Sequence, residues 1–529
     1  MREMKDSGVK WIGEIPEKWT VRKVKNIFNV SSGTTPKSDN PSYWDGDIIW
    51  ITPADFKTKD VYVKTGHRNI TEKGFVAAKL SVVPRGSIVF SKRAPIGQVV
   101  LTSVELCTNQ GCLVAICKDK ACTSFYRYAM SVASEEFELF GAGTTFKEIS
   151  LQAFCNVYMP YTDYNEQRRI ANYLDYKCSK IDSIILKLEQ IVEKLNVYKT
   201  ALITEAVTRG VNPCRNIIKT NIGWISEIPS HWTEYRVANL YDQTNESGEE
   251  SLPILTVSIN SGISDRELKD DEQERVFVRS EDRTKYKRVR PGDLVYNMMR
   301  AWQGAFGAVR VNGMVSPAYI TCRPKKNTQI DSRYIEYLFR TPIAVEEMHR
   351  YSHGIADFRL RLYWPEFKNI RLCTPPIQEQ TDIADYIDEK CLLIDKLIEK
   401  RERLIKKLEN YKKSLIFECV TGKKEIPVYI KDVSDTGIKP AVLDQIRDHA
   451  LKCGIHKVIL FGSRARGTFH RDSDIDLAVS GGNIDLFRLA VEEETDTLLA
   501  YDVVNLDRTS NEELLDVIRK EGVIIYEEV

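Results

Sequence analysis

The hydrophobic positions of this chain change their spacing along its length, and the changes divide it into segments. Within 1–160 and 213–375 the apolar residues come in short alternating runs broken by Gly and Pro, which is typical of short strands joined by turns. Within 161–212 and 376–424 they recur at helical spacing instead. The pattern predicts two mixed, largely β domains, each followed by one long helix.

Both helical segments carry a heptad pattern. The first has apolar residues every seven positions and a second seam three residues after each: Ile181, Leu188, Leu195 and Leu202, then Ile184, Ile191 and Tyr198. The second keeps the stripe, interrupted at Arg401: Ile394, Leu397, Leu404, Leu408, Tyr411 and Leu415. Sustained heptads predict a coiled coil. Segments this long favour an antiparallel helix pair over two ordinary core helices.

Three blocks of the sequence occur twice at one offset of 213 residues. The first is Trp11-Ile12-x-Glu14-Ile15-Pro16-x-x-Trp19-Thr20, which returns from Trp224 to Thr233. The second runs from Glu166 to Asp182 and returns from Glu379 to Asp395, and the third runs from Tyr198 to Thr208 and returns from Tyr411 to Thr421. Between the blocks, 29–150 and 242–365 share little beyond Gly86–Phe90 and Gly292–Tyr296. A repeated framework with diverged inserts presents two different binding domains on one scaffold.

Composition excludes several classes of protein. The chain of 529 residues is 43% hydrophobic and 29% charged, as in ordinary globular proteins. No apolar run approaches the ~20 residues of a membrane span, and the N-terminus lacks the apolar core of a secretion signal. We therefore expect a cytoplasmic protein without a membrane partner. Of the 12 cysteines, Cys107, Cys112, Cys117 and Cys122 recur every fifth residue, a spacing that fits buried free thiols better than a zinc site.

The net charge of +1 averages two unlike parts. Residues 441–529 contain 10 Lys and Arg against 18 Asp and Glu, a balance of −8. The remaining 440 residues contain 66 against 57, a balance of +9. A mildly basic body followed by an acidic tail indicates a domain boundary, with a linker over 425–440 and a further domain over 441–529. The basic excess fits a phosphate-binding surface.

The repeated blocks resemble the specificity subunits of type I restriction–modification enzymes over 1–424. The resemblance rests on a proline-containing exit and a Glu-Gln-x-x-Ile-Ala helix start in each half, followed by a Val-Thr block at each helix end: Pro160 with Glu166 to Ala171, Pro375-Pro376 with Glu379 to Ala384, Val207-Thr208 and Val420-Thr421. It implies two target recognition domains that each read half of a split site in double-stranded DNA. It also implies that the two helices fix the gap and dock two methyltransferase subunits, which a motor–nuclease subunit joins.

Residues that contact DNA are sought among basic clusters. The candidates are Lys92, Arg93, Arg283, Lys285, Lys287, Arg288 and Arg359, with Arg290, Arg350, His353 and Arg361 nearby. Such side chains grip phosphates, and the alternative for each is an ordinary solvated surface. No methyl-donor or methyltransferase motif occurs in 1–424, so we expect this part to bind DNA without catalysis.

Residues 441–529 resemble the minimal nucleotidyltransferases of the polymerase β superfamily, which include antitoxin-like members. A helix is predicted over 441–452 and strands over Lys457–Phe461 and Ser473–Val479, with a tight turn over Gly462–Gly467 between the strands. These elements describe a small α/β domain.

The carboxylates of this domain are spaced for metal chemistry. Asp474 and Asp476 lie two apart on a strand, so both side chains leave the same face. Two such carboxylates can hold Mg²⁺ ions that bridge a nucleoside triphosphate and an attacking hydroxyl. The turn at Gly462 and Ser463 offers backbone N–H groups to phosphate. An acidic loop at a strand end is the alternative.

The resemblance completes the predicted site. It implies a third carboxylate, for which Asp502 fits better than Asp507, and a phosphate contact from Arg466. We expect Mg²⁺ and a nucleoside triphosphate, ATP first, with a protein as the target of transfer. Two alternatives remain open: an inactive tail used only for docking, and a transferase that the DNA-binding body delivers to a sequence.

Overall fold

The computed structural model of the chain describes residues 2–56, 61–93, 95–118, 121–141, 147–212, 216–249, 251–259, 261–268, 285–354, 360–426 and 436–528. The chain divides into two compact units, Met1–Ile184 with Lys407–Val529, and Ile185–Lys406. Each unit contains one β domain, part of the first long helix and part of the second. Among the described residues no helix is long and apolar enough to cross a membrane.

The N-terminal β domain surrounds a five-stranded sheet. Its elements are β1 (Met4–Asp6), β2 (Glu14–Pro16), β3 (Thr20–Lys23), α1 (Val24–Ile27), β4 (Phe28–Ser32), β5 (Trp44–Ile48), β6 (Trp50–Ile51), β7 (Tyr62–Val63), α2 (Glu72–Ala77), β8 (Ile88–Ser91), β9 (Val99–Thr102), β10 (Cys107–Thr108), β11 (Cys112–Cys117), α3 (Thr123–Val132), α4 (Ser134–Leu139), α5 (Leu151–Asn156) and β12 (Tyr158–Tyr161). The sheet order is β4-β11-β8-β9-β7. All of β8 is buried, as expected of a continuous apolar strand.

The middle β domain follows the first long helix, α6 (Tyr164–Arg209). Its elements are β13 (Ile217–Ile222), β14 (Ile225–Pro229), β15 (Thr233–Arg236), α7 (Val237–Leu240), β16 (Tyr241–Thr244), β17 (Val257–Ser258), β18 (Gly262–Ile263), β19 (Lys287–Val289), β20 (Leu294–Asn297), β21 (Phe306–Ala308), β22 (Gly313–Val315), β23 (Tyr319–Pro324), α8 (Ser332–Phe339), α9 (Pro342–Arg350), α10 (Trp364–Phe367) and β24 (Arg371–Thr374). Its largest described sheet has the order β16-β23-β20-β21.

The two β domains have sheets of the same strand order although their inserts share little sequence. The order β4-β11-β8-β9 in one matches β16-β23-β20-β21 in the other, and every pairing in both series is antiparallel. The hairpin β1-β2 corresponds to β13-β14, and the ladder β12-β3 corresponds to β15-β24. The structure therefore extends the repeat from the three sequence blocks into the diverged inserts.

The long helices confirm one predicted seam and correct the other. In α6 the inward residues include Ile181, Ile185, Leu188 and Leu202, each less than a tenth exposed. The predicted second seam is exposed instead: Ile184 by 46%, Ile191 by 40% and Tyr198 by 58%. The same holds in α11 (Ile377–Val420), where the exposed residues are Leu397, Leu404 and Tyr411. These six residues form two exposed apolar stripes that the 213-residue repeat relates.

Each unit contains an ion pair between the two long helices, and the two ion pairs are repeats of each other. In the first unit the Lys412 ammonium lies 2.6 Å from the Asp182 carboxylate. In the second unit Lys199 lies 2.7 Å from Asp395. Residues 182 and 199 become 395 and 412 when 213 is added, so the four residues are two copies of one pair. In the first unit Lys424 also lies beside the Tyr173 ring, and in the second Gly210 lies beside Glu379. Residues earlier in α6 therefore face residues later in α11, and the segments within each unit pack in the predicted antiparallel sense.

The C-terminal domain is a small α/β fold with a core of its own. Its elements are α12 (Pro440–Lys452), β25 (Lys457–Leu460), α13 (Gly462–Arg466), β26 (Ile475–Ser480), α14 (Ile484–Glu494), β27 (Tyr501–Asn505), α15 (Glu512–Glu521) and β28 (Val523–Glu527). The sheet order is β27-β26-β25-β28, with β26 and β27 parallel. The predicted helix and both predicted strands are present.

Candidate functional site

The repeated Glu-Gln pair joins each β domain to the helix that follows it. The Glu166 carboxylate accepts the indole N–H of Trp19 at 2.8 Å, and Glu379 accepts that of Trp232 at 3.3 Å. A polar group buried without a partner is costly, so each tryptophan of the first block requires a glutamate of the second. The repeated residues thus maintain the framework.

The glutamines of the same Glu-Gln pairs form buried hydrogen bonds between each helix and its β domain. The Gln167 side chain is fully buried; it accepts the backbone N–H of Cys122 at 2.9 Å and donates to the carbonyl of Thr162 at 2.7 Å. Its counterpart Gln380 accepts the N–H of Asp331 at 2.9 Å and donates to the carbonyl of Pro375 at 2.8 Å. The amide of each glutamine satisfies groups on both sides of the joint.

Two of the predicted DNA-contacting cations are neutralised within the N-terminal domain. The Lys92 ammonium lies 2.8 Å from the Glu148 carboxylate, and the Arg93 guanidinium lies 2.9 Å from the same group. Their hydrogen bonds, that from Lys92 first, hold the pKa of Glu148 below its usual range. The structure therefore places both cations in a local ion-pair cluster.

The basic segment of the middle domain is also largely engaged. Lys287 donates to the carbonyl of Tyr319 at 2.7 Å, and burial lowers the pKa of its ammonium. Arg288 pairs with Glu249, and Arg290 lies 2.8 Å from Glu246. Among the remaining candidates, Lys285 has an interaction partner, and Arg350 pairs with Glu346 and Glu347. His353 and Arg361 form a backbone bridge. Arg283 and Arg359 lie outside the described residues.

In the C-terminal domain the backbone brings the three predicted aspartates to one sheet face. Asp476 on β26 is the register partner of Asp502 on the parallel neighbour β27, so the two side chains leave the sheet on the same side. Asp474 lies two residues before Asp476, directly ahead of the strand. Asp474 and Asp502 are exposed, whereas Asp476 is half-buried.

Gly462 leaves space for the central carboxylate. It has a left-handed backbone with φ of +72°, which favours glycine. A Cβ at this position would stand 2.0 Å from Oδ2 of Asp476. Ser463 follows as the second residue of the short helix α13. The Gly-Ser turn and the aspartates, which the sequence predicts as one site, are therefore adjacent.

The electrostatics of the cluster suit a cation. Burial, and then the charges of Asp502 and Asp474, raise the pKa of the Asp476 carboxyl. Carboxylates that repel one another are relieved by a bound metal ion. Among the described residues, no three His, Cys, Asp or Glu side chains are already gathered tightly enough to hold a metal. The donor set fits Mg²⁺ by type, because carboxylate oxygens are its preferred protein ligands.

A buried arginine that sequence reasoning missed supports the Asp474 loop. Arg464 is 2% exposed. Its guanidinium donates to the carbonyls of Ser473 at 2.6 Å, Asp474 at 3.1 Å and Thr436 at 3.2 Å. Burial lowers the pKa of this guanidinium, whereas the charges of Asp474 and Asp476 raise it. Its place within Gly462–Gly467 was the only sequence signal.

Two further predicted residues have local partners. The Arg466 guanidinium lies 2.9 Å from the Glu521 carboxylate on α15. Asp507, the weaker candidate for the third carboxylate, accepts the backbone N–H of Gly481 at 2.7 Å. Asp507 thus stabilises a turn, and Asp502 is the residue in register with Asp476.

The evenly spaced cysteines of the N-terminal domain are free thiols. Cys107 and Cys112 are fully buried, whereas Cys117 and Cys122 are partly exposed. Burial raises the pKa of Cys107 and of Cys117 to about 11. Thiols with so high a pKa are poor nucleophiles at neutral pH.

Comparison with known families assigns both parts of the chain. Residues 16–194 match the model of the type I restriction modification DNA specificity domain. Residues 445–529 match the model of polymerase beta, nucleotidyltransferase. The chain therefore carries a type I specificity domain and a polymerase β nucleotidyltransferase domain.

Curated relatives agree with the first match. The chain is 37% identical over 187 residues to the type I restriction enzyme MjaIX specificity subunit of Methanocaldococcus jannaschii. The aligned region covers 35% of this chain and 43% of that protein. It is 19% identical over 437 residues to the EcoBI specificity subunit of Escherichia coli, with 80% and 89% covered. The chain thus spans less than half of the first relative and most of the second.

A solved structure shows that the fold is shared. A chain from a structure of a type I restriction–modification system, described for its complex assembly and conformational transition, aligns with a TM-score of 0.58. The alignment covers 78% of this chain and 99% of that chain at 14% identity. The body of the chain, two β domains and two long helices, therefore shares its fold with that chain.

Proposed function

We propose that this chain is the DNA-reading subunit of a type I restriction–modification enzyme and that its C-terminal domain transfers nucleotides. The observation that carries the first part is one sheet order and one set of Trp–Glu joints built around two inserts of different sequence. A common frame with divergent surfaces reads two different half-sites of double-stranded DNA. The gap between the half-sites is then fixed by the protein, because two readers on one scaffold must respect the helical repeat of the duplex.

The exposed apolar stripes are the proposed docking sites for two methyltransferase subunits. Ile184, Ile191 and Tyr198 on α6 repeat as Leu397, Leu404 and Tyr411 on α11. Exposed apolar patches of this kind mark protein–protein contacts. Two stripes related by an internal repeat fit two copies of one partner. The motor–nuclease subunit then joins the complex of this chain and its two methyltransferase subunits.

Charged substitutions in one stripe test this docking. Ile191→Glu with Tyr198→Glu on α6 is expected to reduce the bound methyltransferase from two copies to one. Adding Leu404→Glu with Tyr411→Glu on α11 removes the second copy. Native mass spectrometry of the co-expressed complex counts the copies. Two copies retained in the fourfold variant would contradict the docking sites and leave DNA reading untouched.

We further propose that the Asp cluster holds Mg²⁺ with a nucleoside triphosphate, ATP first. Asp474, Asp476 and Asp502 would hold the metal, whose role is to neutralise the phosphates and lower the pKa of the attacking hydroxyl. Gly462 and Ser463 give the phosphates a close approach to the backbone. Arg466 is available to them once it leaves Glu521. The hydroxyl oxygen of the target attacks the α-phosphorus, pyrophosphate leaves, and the hydroxyl proton passes to solvent or to a site carboxylate.

The transfer reaction is tested with label. The purified chain is incubated with Mg²⁺ and α-labelled ATP, alone and with its methyltransferase and nuclease partners. Label on a protein, lost in Asp474→Ala with Asp476→Ala and kept in Asp507→Ala, is the expected result and identifies the target. No label with any nucleoside triphosphate would leave the domain as a docking module. Label that depends on DNA and on no partner subunit would favour a DNA-delivered transferase.

A further inference from the structure

Four neighbouring cations of the N-terminal recognition domain have no carboxylate partner among the described residues. Arg22 and Lys23 end strand β3, Lys25 lies on α1, and Lys118 directly follows β11. Within the described part of the chain, none of them has an Asp or Glu oxygen inside the 4.0 Å limit of an ion pair. The contrast with Lys92 and Arg93, which share Glu148, is direct.

Neighbouring groups hold three of these side chains, those of Arg22, Lys23 and Lys118, in place. The Arg22 guanidinium stacks on the Tyr161 ring at 3.5 Å, and the Lys23 ammonium lies 5.3 Å from the centre of the Tyr158 ring. The Lys118 ammonium donates to the backbone carbonyl of Lys25 at 2.7 Å. Side chains ordered in advance lose less conformational entropy when a ligand binds.

Three of the four cations, Arg22, Lys23 and Lys25, line one shallow depression. Its volume is about 490 Å³, and its lining is Val21, Arg22, Lys23, Lys25, Asn26 and Tyr158. The lining contains three of the four cations and no acidic residue. Tyr158, whose backbone pairs with Lys23 across the β3-β12 ladder, is 40% exposed and contributes a polar hydroxyl.

The corresponding surface of the middle domain has fewer unpaired cations. The repeat places Glu234 where the N-terminal domain has Val21, and Arg371 where it has Tyr158. Arg371 and Glu234 form an ion pair at 2.7 Å. Lys325, which donates to the carbonyl of Ala238 as Lys118 does to Lys25, lies 3.4 Å from Asp242. Arg22 and Lys25 correspond to the uncharged Tyr235 and Ala238, and only Lys23 has a cationic counterpart, Arg236, without an ion pair among the described residues. The middle domain therefore has fewer uncompensated cations on this surface than the N-terminal domain.

We infer that Arg22, Lys23, Lys25 and Lys118 form a phosphate-contact face that grips the backbone of duplex DNA without regard to sequence. The inference rests on the proposed DNA-reading function and adds a site that the basic clusters of the sequence did not reveal. Duplex DNA carries one negative charge per ~1.7 Å of its axis, and lysine and arginine contacts displace its counterions. The aromatic rings beside the cations hold them toward the ligand.

Salt dependence of binding tests the face. The full chain is titrated with a 40-base-pair duplex of random sequence over a series of salt concentrations. Each lost phosphate contact lowers the slope of log K against log salt by ~0.9. Replacing all four cations with Gln is therefore expected to lower the slope by about two to four and to weaken binding at least tenfold at low salt. Lys25→Gln with Lys118→Gln, which leaves the stacked cations intact, is expected to give about half of the change in slope.

Matched variants in the middle domain are the control. Lys325→Gln with Arg371→Gln removes two cations that are already paired, and the slope is expected to change by less than about one. An unchanged slope and affinity in the fourfold variant would overturn the face while the wild-type chain still bound DNA. Absence of DNA binding by the wild-type chain would overturn the proposed function as well. Unchanged DNA binding with lost binding of methyltransferase subunits would assign the face to a protein partner.

Discussion

The protonation of Asp476 is linked to the fold of the C-terminal domain. Burial and two neighbouring carboxylates raise the pKa of its side chain. A folded-state pKa above the unfolded value means that stability is greatest at low pH and falls as pH rises through the folded pKa. At neutral pH the charged carboxylate therefore destabilises the domain in the absence of a cation.

Asp476→Asn is accordingly expected to raise the melting temperature of the metal-free chain at pH 7, and the gain should shrink as pH falls toward 4. The same variant should lose the stabilisation by Mg²⁺, which for the wild-type chain is about 2.7 kcal/mol at a hundred times Kd. Thermal melts with and without Mg²⁺ at several pH values measure both effects. Asp507→Asn should keep the Mg²⁺ response, and a retained response in Asp476→Asn would contradict the proposed ligand set.

Arg464 positions the loop that carries Asp474 through its hydrogen bonds to the backbone carbonyls of that loop. Arg464→Met would remove the guanidinium donors to the carbonyl groups of Ser473, Asp474 and Thr436, at a cost of about 2–4 kcal/mol. Arg464→Lys should recover part of this loss because the charge remains and the guanidinium fork is lost. Urea unfolding measures the difference. Arg519→Met, which removes an exposed ion pair with Asp516, should change stability by less than about 0.5 kcal/mol.

At this scale the sequence identifies residue types but not their partners. Asp474 and Asp476 are evident because a strand repeats every two residues. Lys92 and Arg93 resemble a phosphate-binding pair in the sequence, yet the carboxylate that neutralises them, Glu148, lies 55 residues from Arg93. The cations Arg22 and Lys118, which belong to one surface, lie even farther apart along the chain. Charge compensation depends on tertiary contacts, which a single sequence does not contain.

Among the elements, the long helices contact each other through partly exposed ion pairs. Lys412→Asp is expected to place like charges opposite each other at Asp182 and to reduce stability by about 0.5–1 kcal/mol. Asp182→Lys together with Lys412→Asp should restore most of the loss. A double-mutant cycle in urea measures the coupling. The cycle on Asp395 and Lys199 should give a similar value, and zero coupling in both cycles would contradict the helix packing.

The heptad spacing predicts a helical stripe but not which neighbouring position of the helix is buried. Apolar residues at 184, 191 and 198 fit an a/d seam by spacing, but the buried position one residue later is taken at 199 by a lysine that pairs with an aspartate. The first seam at Ile181 and Leu188 is predicted correctly because it is apolar under either phase. The shared sheet of the two β domains is likewise invisible, since its strands keep hydrophobic character without keeping sequence.

On the scale of the whole molecule, the body and the C-terminal domain are expected to act separately. The core of that domain uses only residues from Ile438 to Ile525, and its charge differs in sign from that of the body. Deletion of residues 427–529 should leave DNA affinity and site choice within twofold of the full chain while it abolishes nucleotidyl transfer. Binding titrations and the labelling reaction on the truncated chain check this. A large change in site choice would show that the domain takes part in reading DNA.

The division of DNA reading between two recognition domains is the central claim. The direct measurement is the pattern of methylated adenines across a genome that expresses this chain with its methyltransferase partner, determined by single-molecule sequencing. The wild-type chain should give one bipartite motif with a fixed gap. Replacing residues 242–365 with the corresponding insert of a related specificity subunit should change one half of the motif and leave the other half and the gap intact. A change in both halves, or in neither, would contradict the account.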